Sequence, residues 1–146
     1  MNDLEQSISR ILESYKSAVL ARDAEALMRL YDPKVRVFDT WGAWEHQGAE
    51  KWQRVVEAWF ASLGTDRVIV TYEDLQVVGS REMAVVTAVF SYAAVSPQGE
   101  QLRAMQNRLT WALKMSGHVL RIVHEHTSVP IGYEDTKAIF QRNPDE

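Results

Sequence analysis

The chain has 146 residues, enough for one folded domain with a real core, and 46% of them are apolar against 25% charged. With only seven Gly and four Pro, that composition excludes a disordered or fibrous chain, and the absence of cysteine excludes disulfides, thiolate metal sites and thiol nucleophiles. A net charge of -4 without a stripe of Lys and Arg argues against nucleic acid as a partner. No apolar run nears the roughly 20 residues that cross a bilayer, and the opening MNDLEQSISR is polar and acidic, unlike a signal peptide. The expected setting is the reducing cytoplasm, with no membrane partner.

In chain order, Leu4, Ile8, Ile11, Leu12, Tyr15 and Val19 recur at helical spacing and predict a helix over 4–21. Asp3 with Gln6 three residues on resembles a capping box. Asp23 caps a short second helix carrying Leu27, Met28 and Tyr31, stopped by Asp32-Pro33. A strand over 35–39 follows, with Val35, Val37 and Asp39 on one face, and Trp41-Gly42-Ala43-Trp44 reads as a turn or short hairpin segment. The third helix, over 49–62, has the clearest stripe: Trp52, Val55, Val56, Trp59, Phe60 and Leu63, ended by Gly64.

From Arg67 onward the residues are Val-, Thr-, Tyr- and Phe-rich. Gly79-Ser80, Pro97-Gln98-Gly99 and Ser116-Gly117 divide this stretch into strands near 67–78, 82–95, 101–115 and 118–129. Short connections make these antiparallel neighbours, and helices followed by a meander give an α+β fold in one domain over 1–146. In 83–95, Met83, Val85, Val89 and Val95 face one way and Ala84, Val86, Phe90 and Tyr92 the other. Neither face is polar, so the outer one needs a cover. A second copy of the chain is the simplest, which predicts a homodimer or larger assembly through the sheet.

The order helix, helix, strand, helix, four long strands resembles the nuclear transport factor 2-like, or cystatin-like, superfamily, in which a curved antiparallel sheet forms a cone around N-terminal helices. Tyr15-Lys16-Ser17-Ala18 leading to Asp23-Ala24-Glu25-Ala26-Leu27 and Leu30-Tyr31 looks like its opening pattern. Arg108-Leu109-Thr110-Trp111, a Gly turn and Arg121 to Ser128 look like the closing hairpin of SnoaL-like members. The His-x-His-x-Ser ending is also similar to the association domain of calcium/calmodulin-dependent protein kinase II. This fold hosts enzymes, binders and assembly modules alike.

The resemblance to the ketosteroid isomerase branch implies catalytic roles for three positions. In that branch a first-strand carboxylate is the base, and a tyrosine and a protonated aspartic acid hold the oxyanion. Asp39 matches the base and Tyr15 the tyrosine. Asn107 stands where the acid would lie, a departure, since an amide donates a hydrogen bond but carries no acidic proton. A carboxylate in an apolar cavity gains base strength through its raised pKa.

From strand parity, His124 and His126 share a face with Leu120 and Ile122, which predicts that both look inward and that Glu125 looks outward. His124 is then a candidate proton carrier, with a pKa near neutrality, and His126 a candidate lining residue. Asp39 is the only conceivable third ligand for a metal on this pair, so no metal or other cofactor is expected. Arg108, on the face opposite Asn107 and Trp111, is a candidate for pairing with an acid across a dimer or with a substrate carboxylate. Trp41, Tyr92 and Met105 are further candidates for touching a ligand, and Trp44, Trp52 and Trp59 for the core. The expected activity is binding of a small apolar or aromatic ligand, extending to isomerase, cyclase or hydratase chemistry. The rival expectation is an oligomerisation module without catalysis.

Overall fold

In the computed structural model, which describes residues 2–146, three helices pack into the concave side of one six-stranded sheet. Helix α1 spans Asp3–Ala21. Its N-cap is Asn2, whose side chain accepts from the Glu5 backbone N–H, so the capping residue stands one position ahead of the expected Asp3. Ile8, Leu12, Tyr15 and Val19 form its buried stripe. Helix α2 is the single turn Ala24–Met28, capped as expected by Asp23 through the Ala26 N–H at 3.0 Å. Helix α3 spans Ala49–Ser62 and buries Trp52, Val56 and Phe60.

The strands are β1 (Tyr31–Phe38), β2 (His46–Gln47), β3 (Arg67–Gly79), β4 (Met83–Val95), β5 (Gln101–Ser116) and β6 (Val119–Ser128). They lie in the order β2-β1-β6-β5-β4-β3 in a curved sheet that does not close. The meander β3 to β6 is antiparallel as expected. β1, however, joins β6 in parallel, with β2, α3 and the antiparallel strands β3, β4 and β5 between them in the chain.

Tyr31 is a correction to the expected second helix. It is the first residue of β1 and pairs with Ile122. Asp32-Pro33 lies inside the strand, where a register shift between Tyr31 and Arg36 accommodates the N–H that proline lacks. The segment after β1 does turn back as a short hairpin, with Arg36 opposite Gln47. Trp44 is not in the core; it is 97% exposed.

The shared core runs through Leu12, Val19, Val37, Phe90, Trp111 and Ile122. Tyr15 stands edge-on to both Phe90 and Trp111, with centroids at 5.7 and 5.5 Å, a favoured aromatic geometry. On the convex side Ile69, Met83, Val85 and Leu102 remain exposed. Among the described residues no helix is long and apolar enough to cross a membrane.

Candidate functional site

Helices α1 and α3 do not fill the cone. A cavity of about 600 Å³ remains between α3 and the inner sheet face. Its walls are mostly aromatic and aliphatic: Tyr15 from α1, Trp52 and Trp59 from α3, Tyr31 from β1, Tyr92 from β4 and Met105 from β5. Trp41 and Phe140 stand at its edge, stacked at 5.1 Å and 9°.

Of the residues expected to meet a ligand, Tyr15, Asp39, Trp41, Tyr92, Met105 and Asn107 line this one cavity. His124, His126 and Arg108 do not, and the cause for the histidines is a β-bulge. Leu120 and Ile122 point inward as expected and are buried. Leu113 pairs with Ile122 and Ala112 with His124, so Val123 has no partner of its own. One extra residue inverts the facing of everything after it.

His124 and His126 therefore lie on the convex side, packed edge-on against Phe38 at 4.9 and 5.3 Å. His124 Nδ1 is 2.7 Å from the Arg36 carbonyl oxygen. Asp39 lies across the sheet from this pair, which removes the conceivable three-ligand metal site. Among the described residues no three His, Cys, Asp or Glu side chains come together. Arg108 is exposed and donates from Nε to the Ser128 hydroxyl at 3.1 Å.

The same bulge turns Glu125 and Thr127 inward. Glu125, expected outside, is 3% exposed and lines the cavity. Its Oε1 accepts from the Tyr31 hydroxyl at 2.5 Å and from Trp111 Nε1 at 2.8 Å. Both donors are neutral, and neither replaces the water that a carboxylate loses on burial. Burial accordingly pushes the Glu125 carboxyl up to about 7, the two donors hold it back part of the way, and Asp39 adds a further upward push.

Asp39 follows β1 on the inward side and is only half-buried. Its Oδ1 accepts from the Thr127 hydroxyl at 3.2 Å, while the Thr127 oxygen accepts from the Thr40 N–H and hydroxyl, both at 2.9 Å. Burial raises Asp39 above the ordinary aspartate value, opposed by Thr127, by the Thr40 and Trp41 backbone N–H groups and by His46. Asp39 thus caps the turn that follows β1 and faces the cavity as well.

The hydroxyls of Tyr15 and Tyr92 meet at 2.9 Å. Burial is the largest cause raising both pKa values, so both phenols stay neutral. Two hydroxyls linked by one hydrogen bond leave one proton free to donate into the cavity. Two other buried polar atoms on the cavity wall, Asn107 Oδ1 and Trp52 Nε1, have no hydrogen-bond partner.

The C-terminal segment closes part of the opening. The Phe140 carbonyl accepts from the Gln106 N–H at 2.7 Å, extending the pairing of β5 past the end of β6. Arg142 is anchored by Asp74 and Glu73 and by its own N–H on Gln106 Oε1. Sequence reasoning thus missed Glu125, Thr127 and Phe140 as parts of the site.

A SnoaL-like domain model matches residues 8–132, and the chain belongs to that family. Its fold is that of the nuclear transport factor 2-like, cystatin-like proteins. A protein of that type and of unknown function from Pseudomonas putida is similar at 22% identity, with a TM-score of 0.83 over 97% of this chain and 96% of that one. Aln2 from a Streptomyces species has a TM-score of 0.77 at 11% identity, over 88% and 91% of the two chains. A putative calcium/calmodulin dependent protein kinase II association domain from Xanthomonas campestris has a TM-score of 0.66 at 15% identity, over 83% and 84%. At these identities the likeness concerns the fold alone. No curated protein matches the chain.

Proposed function

We propose that this SnoaL-like domain binds a small apolar or aromatic molecule inside the cone and moves a proton on it by acid–base chemistry without a cofactor. One observation carries the reading: two residues that line the 600 Å³ cavity, Asn107 and Trp52, hold buried polar atoms without a hydrogen-bond partner, Oδ1 and Nε1. An isolated buried polar atom costs about 1–3 kcal/mol, a cost that an occupant with polar handles removes. A module serving assembly alone has no use for it.

Asp39 is the base, as the ketosteroid isomerase resemblance implies. Glu125 takes the proton-carrying role expected of His124, since a carboxyl near 7 exists in both forms at neutral pH. The free proton of the Tyr15–Tyr92 pair serves a developing oxyanion. The expected reaction is isomerisation, cyclisation or hydration at carbon next to a carbonyl. The convex side carries Ile69, Met83, Val85 and Leu102 in the open, and we assign it to a second copy of the chain in a cytoplasmic homodimer or larger assembly. Light scattering at micromolar concentration should then give at least twice the monomer mass.

The test of the chemistry is deuterium exchange at the α-carbon of a panel of cyclic and aryl ketones. Exchange above background that is lost in Asp39→Asn and in Glu125→Gln is the expected result. Exchange unaffected by either change, or absent from the whole panel in the intact protein, would overturn it.

A further inference from the structure

The cavity is chemically lopsided. Two carboxyls, Asp39 and Glu125, face it, and the only basic side chain on its wall is Arg103, which is exposed and joins no ion pair among the described residues. Around Glu125 the other titratable groups on packed elements are the phenols of Tyr15, Tyr31 and Tyr92 together with Asp39, and around Asp39 there is also His46. None of these is a fixed positive charge.

The unused hydrogen-bonding capacity points the same way. Both hydrogen bonds to Glu125 fall on Oε1, which leaves Oε2 without a donor, and Asp39 takes its side-chain bond on Oδ1 alone. Asn107, 7% exposed, is part of the same wall, and its buried Oδ1 has no hydrogen-bond partner. Beside these oxygens the wall has two free donors, Trp52 Nε1 and the spare proton of the Tyr15–Tyr92 pair, so an occupant that reaches the carboxyls brings donors of its own to that end. Its aromatic walls attract positive charge through their ring faces.

We propose that the cavity takes an organic cation, a protonated amine on an apolar or aromatic body, with its ammonium facing the acceptor oxygens of Asp39, Glu125 and Asn107. The inference rests on the reading of the cavity as a ligand site and adds the charge of the ligand. An ammonium beside two carboxyls favours their ionised forms. Amine entry therefore displaces the proton of Glu125 into solvent, and affinity rises as pH rises through 7.

Three probes on the same phenylpropyl frame separate the possibilities: 3-phenylpropylamine, 3-phenylpropanol and 3-phenylpropanoate, titrated into the full chain by calorimetry. At pH 7 the amine should bind about tenfold more tightly than the alcohol and the carboxylate most weakly. Repeating the amine titration in buffers of different ionisation heat should show about half a proton released per amine, as expected of a group half-protonated at that pH. Glu125→Gln keeps an oxygen for Tyr31 and Trp111, so it should fold, and it should lose both the amine preference and the proton release. Equal or tighter binding of the alcohol or the carboxylate overturns the cation inference and leaves the ligand site standing. Binding of none of the three overturns both.

Discussion

The floor and the rim of the cavity each present one carboxyl, and the two differ in almost everything else. Glu125 is sealed in and held by Tyr31 and Trp111, two donors that belong to the core. Asp39 is partly exposed and tied to Thr127 in the turn next to the Trp41–Phe140 stack. Burial outweighs hydrogen bonding at both, but only at Glu125 does it bring the pKa to about 7. Under the proposed function, that contrast is what assigns the stored proton to Glu125 and the accessible base to Asp39.

The largest expected effect lies at the floor. The folded pKa of Glu125 is raised from 4.5 to about 7, so its protonated form stabilises the fold. That contribution is complete below about 4.5 and lost as pH rises through about 7. The shift corresponds to about 3 kcal/mol. Glu125→Gln, which cannot ionise, should match the parent at pH 4.5 and exceed it by up to about 3 kcal/mol at pH 8, read from urea melts at the two pH values. A variant that is less stable at pH 8 would mean that the ionised carboxylate is a structural anchor for Tyr31 and Trp111.

A smaller effect is expected at the mouth. Phe140→Ala removes one ring of the stack and should cost about 1 kcal/mol, while the ligand off-rate rises because the opening widens. Stopped-flow displacement of a bound probe checks it, and an unchanged off-rate would leave the stack a purely structural contact.

The smallest effect belongs to the rim carboxyl. Asp39→Asn retains an oxygen for the Thr127 hydroxyl and removes only a partly solvated charge, so stability at pH 7 should change by about 1 kcal/mol or less. Any α-proton exchange should be abolished. A loss of about 2 kcal/mol or more would make capping the turn the whole of Asp39's role and end its role as base.

The floor and rim were unequally legible in the sequence. Helical spacing marks Tyr15 on a buried stripe, and period-two alternation from Val35 and Val37 places Asp39 on the inner face; both readings need only local geometry. The alternation Leu120, Ile122 is equally clear, yet it points to His124 and away from Glu125. The bulge at Val123 arises from how β6 pairs with β5 and β1 together, a long-range requirement. Its one local trace is the apolar doublet Ile122-Val123, which breaks the alternation at the residue that bulges. Similarly, Asp32-Pro33 reads as a helix stop, but Tyr31 belongs to β1 because its partner is Ile122, far along the chain. The lid residue Phe140 lies in a stretch with no periodicity, and only the free edge of β5 beyond Ser128 explains why it folds back.

The proton on Glu125 is the hinge of the account, and one spectrum tests it. With glutamate labelled at the side-chain carboxyl carbon, the Glu125 resonance, assigned by its loss in Glu125→Gln, should titrate with a midpoint of about 7 in the ligand-free protein. It should move lower when 3-phenylpropylamine is present. A midpoint near the ordinary 4.5 in the free protein would contradict the account, since Glu125 would then be an ordinary carboxylate with no proton to give at neutral pH.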